Sequence, residues 1–359
     1  MKAYIAVGPI GVFAYDENGK EIAHSLFPKE PRQAAERIAA FQRGETLSEI
    51  RHVFRQVKRH EVYLESDSLL DIGAVIESPN TAGEEMRKSL PKLFDQHGFG
   101  SYKAFLFKLN SELTKQTLRQ DLGVADKRII QAISAIDEID DTVNELSERL
   151  REWYGLYFPE MAAKVKSHES FSKLVSKSEG RSDYKGDIAA IAKDSIGGEF
   201  NRHDLGIVRK FASNIHDLYE LRESAKTYLS KLMEGHTPNV MAIAGELVGA
   251  RLLAQAGSLK KLAALPSSTI QVLGAEKALF RHLSEGTKPP KYGYILHNPL
   301  VKQARKHEQG KIARTLAASI SMAAKKDYYS GEFAGPQLKK DLEKKIAQIR
   351  KMSDKRGKR

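Results

Sequence analysis

Apolar side chains recur every seven residues at Ile129, Ile136, Val143 and Leu150, and Ala132, Ile139, Leu146 and Trp153 stand three positions after each. Two such rows with charge between them are the seam of a long amphipathic helix; a strand, with its period of two, would scatter them over both faces. A helix over residues 118–153 would be about 54 Å long at 1.5 Å per residue. Gly155 and Pro159 end it, in the run Trp153-Tyr154-Gly155-Leu156-Tyr157-Phe158-Pro159-Glu160. A looser helical stretch follows to residue 198. A second seam then runs through Val208, Phe211, Ile215, Leu218, Ala225, Leu229 and Leu232, with Arg222 as its polar break. Two long amphipathic helices joined at one end predict an antiparallel hairpin. A plain helical-bundle core is the alternative. The favoured reading is a protruding arm that pairs with a second copy, because an exposed arm would otherwise leave Trp153 and Tyr157 bare. Ile129, Ile136, Ile139, Val143, Leu146, Leu150 and Trp153 are then the dimerisation seam.

Upstream, the chain reads as a small α/β unit. Residues 4–7 and 11–15 are short β-branched and aromatic runs, and Asp16-Glu17-Asn18-Gly19 supplies hairpin-turn chemistry before a return strand over 21–27. Pro31 opens a helix to residue 42, stopped at Gly44; residues 47–58 read as another helix and 61–65 as a strand. Ser78-Pro79-Asn80 marks a break before helical patterns over 82–96 and 102–119. Downstream, Gly235-His236-Thr237-Pro238-Asn239 is the sharpest boundary, followed by helical patterns over 240–255, 273–283 and 311–325. The fold expected is mainly α, with a small N-terminal α/β domain, a long antiparallel coiled-coil arm and an all-helical C-terminal domain.

The charge is unevenly placed. Of the formal net charge of +12, residues 1–275 carry −1, residues 276–326 carry +8, residues 327–335 carry −2 and the tail 336–359 carries +7. A polyanionic partner is therefore expected against the last quarter of the chain. The chain has no cysteine, which excludes disulfides, thiolate metal sites and thiol nucleophiles, and is in keeping with a reducing compartment. No run of eighteen apolar residues exists, so no membrane span is expected, and the N-terminus reaches an acidic turn too early for a secretory signal.

Enzyme signatures are weak. Gly8-Pro9-Ile10-Gly11 matches no dinucleotide or phosphate loop, Gly197-Gly198 reads as a helix break, and Gly245-Glu246-Leu247-Val248-Gly249 lacks the serine of a nucleophile elbow. Glu65, Asp67 and Asp71 read as a solvated acidic face. The eleven histidines are scattered, and no metal-binding convergence is evident. No catalytic residue, metal or cofactor is expected. The basic segment is more informative. Lys277 and Arg281 share a helix face, and Leu273, Leu279, Phe280 and Leu283 are expected to supply its buried side. Gly274 near the helix start would allow close backbone approach to phosphate. Lys291-Tyr292-Gly293-Tyr294-Ile295-Leu296-His297 sets aromatic and imidazole planes beside cations, a combination suited to unpaired RNA bases, while Tyr292 and Tyr294 in the core is the plainer reading. Lys302, Arg305, Lys306, Lys311 and Arg314 extend the positive surface.

These residues also carry a family resemblance. Gly257-Ser258-Leu259, Leu265-Pro266-Ser267-Ser268-Thr269-Ile270-Gln271, Gly274-Ala275-Glu276-Lys277-Ala278-Leu279-Phe280-Arg281, Pro290-Lys291-Tyr292-Gly293 and Gly310-Lys311-Ile312-Ala313-Arg314 resemble the Nop domain. That module is shared by box C/D ribonucleoprotein core proteins and a related splicing factor. Leu150-Arg151-Glu152-Trp153-Tyr154-Gly155 and Phe158-Pro159-Glu160 resemble the tip of the family's coiled coil, whereas 181–194 matches no part of the pattern. The resemblance covers 118–330 and, more loosely, the N-terminal unit.

It implies a scaffold without catalysis of its own. The N-terminal domain (1–117) would hold fibrillarin, the methyltransferase that uses S-adenosylmethionine. The arm (118–236) would pair with a second copy. The Nop domain (237–335) would grip a kink-turn in a box C/D guide RNA already bound by a small ribosomal-type protein, and 336–359 would be a disordered basic tail. Carried over by motif, Glu276, Lys277 and Arg281 meet RNA and its bound protein, and His297 lies near an exposed base. Gln271, Lys291, Lys311 and Arg314 are carried over with them. The short tail points to an archaeal, cytoplasmic version; a eukaryotic one would be nucleolar. Two rivals are a splicing-type adaptor, against which the strands within 4–64 speak, and an RNA-acting enzyme with Glu276 and His297 as acid and base.

Overall fold

A computed structural model describes residues 1–65 and 74–356, and the chain divides into two units, Met1–Gly123 and Val124–Arg359. The first unit is built on the strands β1 (Lys2–Gly8), β2 (Gly11–Tyr15) and β3 (Glu21–Leu26). Helices α1 (Pro31–Gln42) and α2 (Ser48–Gln56) follow, then β4 (Glu61–Leu64) and the two-residue β5 (Val75–Ile76). Helices α3 (Thr81–His97) and α4 (Tyr102–Gly123) close it. The sheet order is β3-β2-β1-β4-β5, antiparallel on the hairpin side of β1 and parallel on the other. Asp16 Oδ1 closes the turn between β2 and β3 by accepting the Asn18 and Lys20 N–H groups (both 2.9 Å), and Gly19 takes the positive φ of +75°. Ile5, Phe13, Ile50, Leu64 and Phe94 are fully buried in the core of this unit.

The second unit opens with the arm. Helix α5 (Ala125–Gly155) and helix α9 (Arg202–His236) run antiparallel, as three cross-pairs show: Asp126 with His236, Asp140 with Arg222, and Trp153 with Phe211. Between them lie α6 (Pro159–Lys164), α7 (His168–Lys177) and α8 (Asp187–Lys193). Ile129, Ile136, Val143 and Leu150 are all buried, against a partner row that includes Val208, Ala212, Ile215, Leu229 and Met233. The row at Ile139, Leu146 and Trp153 is only half-buried. The helix expected from residue 118 instead begins at Ala125, after α4 has ended at Gly123.

At the far end of the arm a small separate core forms. Tyr154, Tyr157, Phe158, Met161, Phe171, Val175 and Tyr184 pack together, and the Tyr154 and Tyr184 hydroxyls hydrogen-bond at 2.8 Å. Burial, and then the adjoining Tyr184, push the Tyr154 hydroxyl far above the usual phenol range. Arg151 donates to the carbonyls of Ala162 (3.0 Å), Val165 (2.6 Å) and Lys166 (2.9 Å), satisfying the exposed end of α6. Arg181, from the stretch that fitted no pattern, lies over the Tyr157 ring and donates to the Gly197 and Gly198 carbonyls. The Gly197 backbone passes so close to the Tyr157 carbonyl that a Cβ would sit 1.9 Å from its oxygen. Tyr157 is thus covered by its own chain, which removes the argument that a second copy must cover it.

Helices α10 (Pro238–Ala244), α11 (Glu246–Ala256), α12 (Leu259–Ala264) and α13 (Ser267–Val272) begin the C-terminal bundle. Helices α14 (Glu276–Glu285), α15 (Pro299–Lys302), α16 (Gln309–Lys325) and α17 (Gly335–Arg356) complete it. Leu252, Leu253, Leu262, Ile270, Ile312, Leu316 and Ile320 form a core that is continuous with the base of the arm at Ile129, Ile133 and Met233. Asp126 joins three elements there, accepting from His236 Nε2 (2.7 Å) and from the Leu259 N–H (3.1 Å). Arg251 on α11 donates Nε to both Asp137 oxygens (3.1 Å each), and this hydrogen bonding raises the guanidinium above its ordinary range. Residues 336–356 correct the expectation of a disordered tail. They form α17, whose Leu338, Leu342 and Ile346 are buried at the 3.6-residue period.

Because Ile136 is buried between α5 and α9, Ile136→Asp is expected to cost about 3 kcal/mol or more of stability, by placing a carboxylate in an apolar seam. Denaturant unfolding followed by circular dichroism checks this; an unchanged midpoint would mean that the row faces solvent or a second chain.

Candidate nucleic-acid interface

The basic segment is knitted together from stretches far apart in sequence. The turn after α13 lies against residues 291–294: the Gly293 N–H donates to the Gln271 carbonyl (2.9 Å), and the Tyr294 N–H to that of Leu273 (2.8 Å). Gln271 Nε2 donates to the Lys291 carbonyl (2.6 Å), and Tyr292 Oη to Gln309 Oε1 (3.0 Å) at the start of α16. Gly274 has φ +87°, and a Cβ there would lie 2.4 Å from the Tyr294 ring, so both conformation and space demand glycine. Asn298 anchors the next turn, donating Nδ2 to the buried Ala244 carbonyl (2.9 Å) while Oδ1 caps α15 at the Leu300 N–H (3.0 Å).

Helix α14 differs most from expectation. None of its residues is buried; Phe280 and Leu283 are 71% and 76% exposed, and Leu279 is half-buried. Of the apolar residues assigned to a buried face, Phe280 and Leu283 are therefore presented to solvent, beside Lys277 and Arg281, while Leu273 and Leu279 are half-buried. Lys277, Phe280 and Arg281 stand at i, i+3 and i+4, so one face offers an aromatic ring between two cations. The Gly274 N–H, expected to be open to phosphate, is taken by Glu276 Oε1 (2.8 Å). That bond gives Glu276 a structural task at the start of the helix.

Other sequence candidates divide cleanly. Lys277, Arg281, Lys291, His297, Lys302, Lys306, Lys311 and Arg314 are exposed. Arg305 is exposed too, with its guanidinium 3.9 Å from the buried Glu308 carboxylate. Gln271 is engaged with Lys291, and Tyr292 and Tyr294 are half-buried and packed on the bundle core. Of the three rings considered for base stacking, His297 is the one left exposed. The backbone and side-chain hydrogen bonds that link Gln271 and Leu273 to residues 291–294, and Tyr292 to Gln309, set the start of α14, the 291–297 turn and the N-terminal turn of α16 in one continuous surface. Its charge is almost wholly positive.

Of the acidic trio, Asp67 and Asp71 lie outside the described residues. Glu65 accepts the Asn80 N–H (3.0 Å) and meets Arg87 (3.4 Å). A different convergence went unseen in the sequence: Glu21, His24 and His97 place one ligand atom each within 4.8 Å of the others. No spacing rule reveals it, because His97 is distant in the chain from the other two.

The comparisons with known proteins bear on both units. The family described as Nop (snoRNA binding domain, fibrillarin) matches residues 135–348, and the archaeal Nop5/56-related N-terminal domain matches residues 2–119. An uncharacterized NOP5 family protein of Methanocaldococcus jannaschii is 43% identical over 290 residues, covering 76% of this chain and 70% of that one. Nucleolar protein 58 of Candida albicans is 36% identical over 260 residues, covering 69% of this chain and 50% of that one, so the chain spans about half the length of that relative. Among solved structures, a chain of a fibrillarin/Nop5p complex aligns with TM-score 0.42 and 23% identity, over 78% of this chain and 95% of that one. With its snoRNA-binding domain matched over 135–348 and the archaeal N-terminal domain over 2–119, this chain belongs to the Nop5/Nop58 family.

Proposed function

We propose that the chain is a non-catalytic scaffold of an archaeal, cytoplasmic box C/D ribonucleoprotein. It would join a guide RNA, with its kink-turn-binding ribosomal-type protein, to fibrillarin for 2′-O-methylation of RNA, with the methyltransferase using S-adenosylmethionine as its methyl donor. The observation that carries this reading is the uncovered α14, where Lys277, Phe280 and Arg281 stand on one face. A purely electrostatic RNA surface needs no exposed phenylalanine. A surface that meets RNA and a protein at once gains from both cation and ring. His297 adds an exposed ring to the same belt, and Lys291, Lys302, Arg305, Lys306, Lys311 and Arg314 supply phosphate contacts. The Nop family matched over 135–348 is named for snoRNA binding and fibrillarin, and the separately folded Met1–Gly123 unit, which holds no part of the basic belt, is the part we assign to the methyltransferase.

Self-association through the arm belongs to the same reading, but by a different face from the heptad row first considered. That row is consumed within the chain. On α9, Ile207, Leu221 and Tyr228 are 49%, 54% and 48% exposed and share a heptad position. This outer line is the surface we assign to a second copy.

A gel-shift with kink-turn RNA at physiological salt, with and without the primary binding protein, tests the scaffold. A supershift that requires that protein is expected, and Arg281→Ala should weaken it by about 1–3 kcal/mol while leaving fibrillarin binding unchanged. Equal binding to any RNA, fading steeply with salt, would reduce the chain to a basic protein without this role. For the arm, Leu221→Asp with Tyr228→Asp is expected to give a monomer by light scattering with helicity unchanged. A persisting dimer would move the contact elsewhere.

A further inference from the structure

The hairpin side of the N-terminal sheet holds a group of side chains that the scaffold reading leaves unused. In the pairing of β2 with β3, Phe13 stands opposite His24 and Ala14 opposite Ala23, but Tyr15 stands opposite Glu21. Ile22 is the extra residue of a β-bulge. Regular alternation would send side chains three apart to opposite faces of the sheet. The bulge cancels that, because Glu21 and His24 lie opposite Tyr15 and Phe13, which are two residues apart and share a face. His24 Nδ1–H donates to Glu21 Oε1 at 2.7 Å.

The third member comes from another element. His97 is the last residue of α3, before Gly98 at φ +67° turns the chain away. Its ring lies 4.7 Å from that of His24, and both imidazoles are 5.9 Å from the buried Phe13 ring. A wholly buried aromatic floor thus sets the positions of two imidazoles and leaves their nitrogens towards one carboxylate. Burial, and then the neighbouring His24, lower the His97 pKa, which favours the neutral ring. One cation bears on the site, Lys29, whose ammonium lies over the Phe99 ring (5.8 Å).

We propose that Glu21, His24 and His97 form a binding site for a divalent transition-metal ion of the zinc type, which pins strand β3 to the end of helix α3. The three ligand atoms already lie within 4.8 Å of one another. Tetrahedral zinc with bonds of about 2.0–2.1 Å asks for ligand separations of about 3.3 Å. In the bound form the ion would enter between Glu21 and His24, replacing the proton of their hydrogen bond, with His97 turning towards it. Two imidazoles and one carboxylate suit zinc, copper or nickel, and are a poor set for magnesium or calcium, which take oxygen shells. Water completes the coordination. The site needs no part of the RNA-binding unit, so its failure would leave the scaffold reading standing.

Calorimetric titration of the full metal-free chain with Zn²⁺ is the test, alongside Glu21→Gln, His97→Ala and a Mg²⁺ control. One equivalent of Zn²⁺ is expected to bind. Each variant should weaken it by roughly 10- to 100-fold or more, a ligand mattering at least as much as its supporting hydrogen bonds. Zn²⁺ should raise the melting temperature of the unsubstituted chain and not of His97→Ala; Mg²⁺ should do neither. No binding, or binding of equal strength in both variants, would overturn the proposal. Glu21→Gln keeps the shape of the side chain, so its circular dichroism separates lost ligation from lost folding.

Discussion

Everything in the second unit depends on the burial of one row of side chains. Ile129, Ile136, Val143 and Leu150 recur on one stripe of α5, and α9 is the element that covers them. Because α9 returns antiparallel, its end arrives beside the start of α5, where Asp126 binds His236 and the first N–H of α12. The C-terminal bundle is therefore built directly onto the base of the arm, and the two share one core. The far end has no such neighbour and makes its own core from tyrosines and phenylalanines, with Arg151 and Arg181 binding the carbonyls that the short helices leave open.

Periodicity made much of this legible. The seams on α5 and α9, the β2–β3 hairpin, Pro31 at the start of α1 and the break at Pro238 could all be read from the residues. Period reports that a face is apolar; it does not report what covers it. Phe280 and Leu283 have the spacing of a buried stripe, yet nothing among the described residues covers them, and the reverse holds at Tyr157, which is covered by a segment without a pattern. In α17, Leu338, Leu342 and Ile346 were spaced as a helix face, but the surrounding lysines dominated the reading.

The basic belt was legible by charge and missed in detail by hydrogen bonding. Lys277, Arg281, His297, Lys311 and Arg314 are exposed as their types suggest. Gln271 and Glu276 instead serve the loop itself, holding the Lys291 carbonyl and the Gly274 N–H. Such tasks depend on which backbone group happens to pass nearby, and composition carries no trace of that. The same holds for Glu21 and His24, brought to one face by a bulge that only strand register exposes, and for His97, which the end of α3 carries to them.

The last helix changes what its lysines mean. Over 22 residues α17 extends about 33 Å, with Lys339, Lys340, Lys344 and Lys345 on its exposed side. In a disordered segment the same charges would form a cloud, averaged over many conformations and able to follow any partner. Mounted on a packed rod they have fixed spacings and one direction. The order of that array is set by Leu338, Leu342 and Ile346 beneath it, so three apolar side chains decide how the chain's second basic block is seen from a distance.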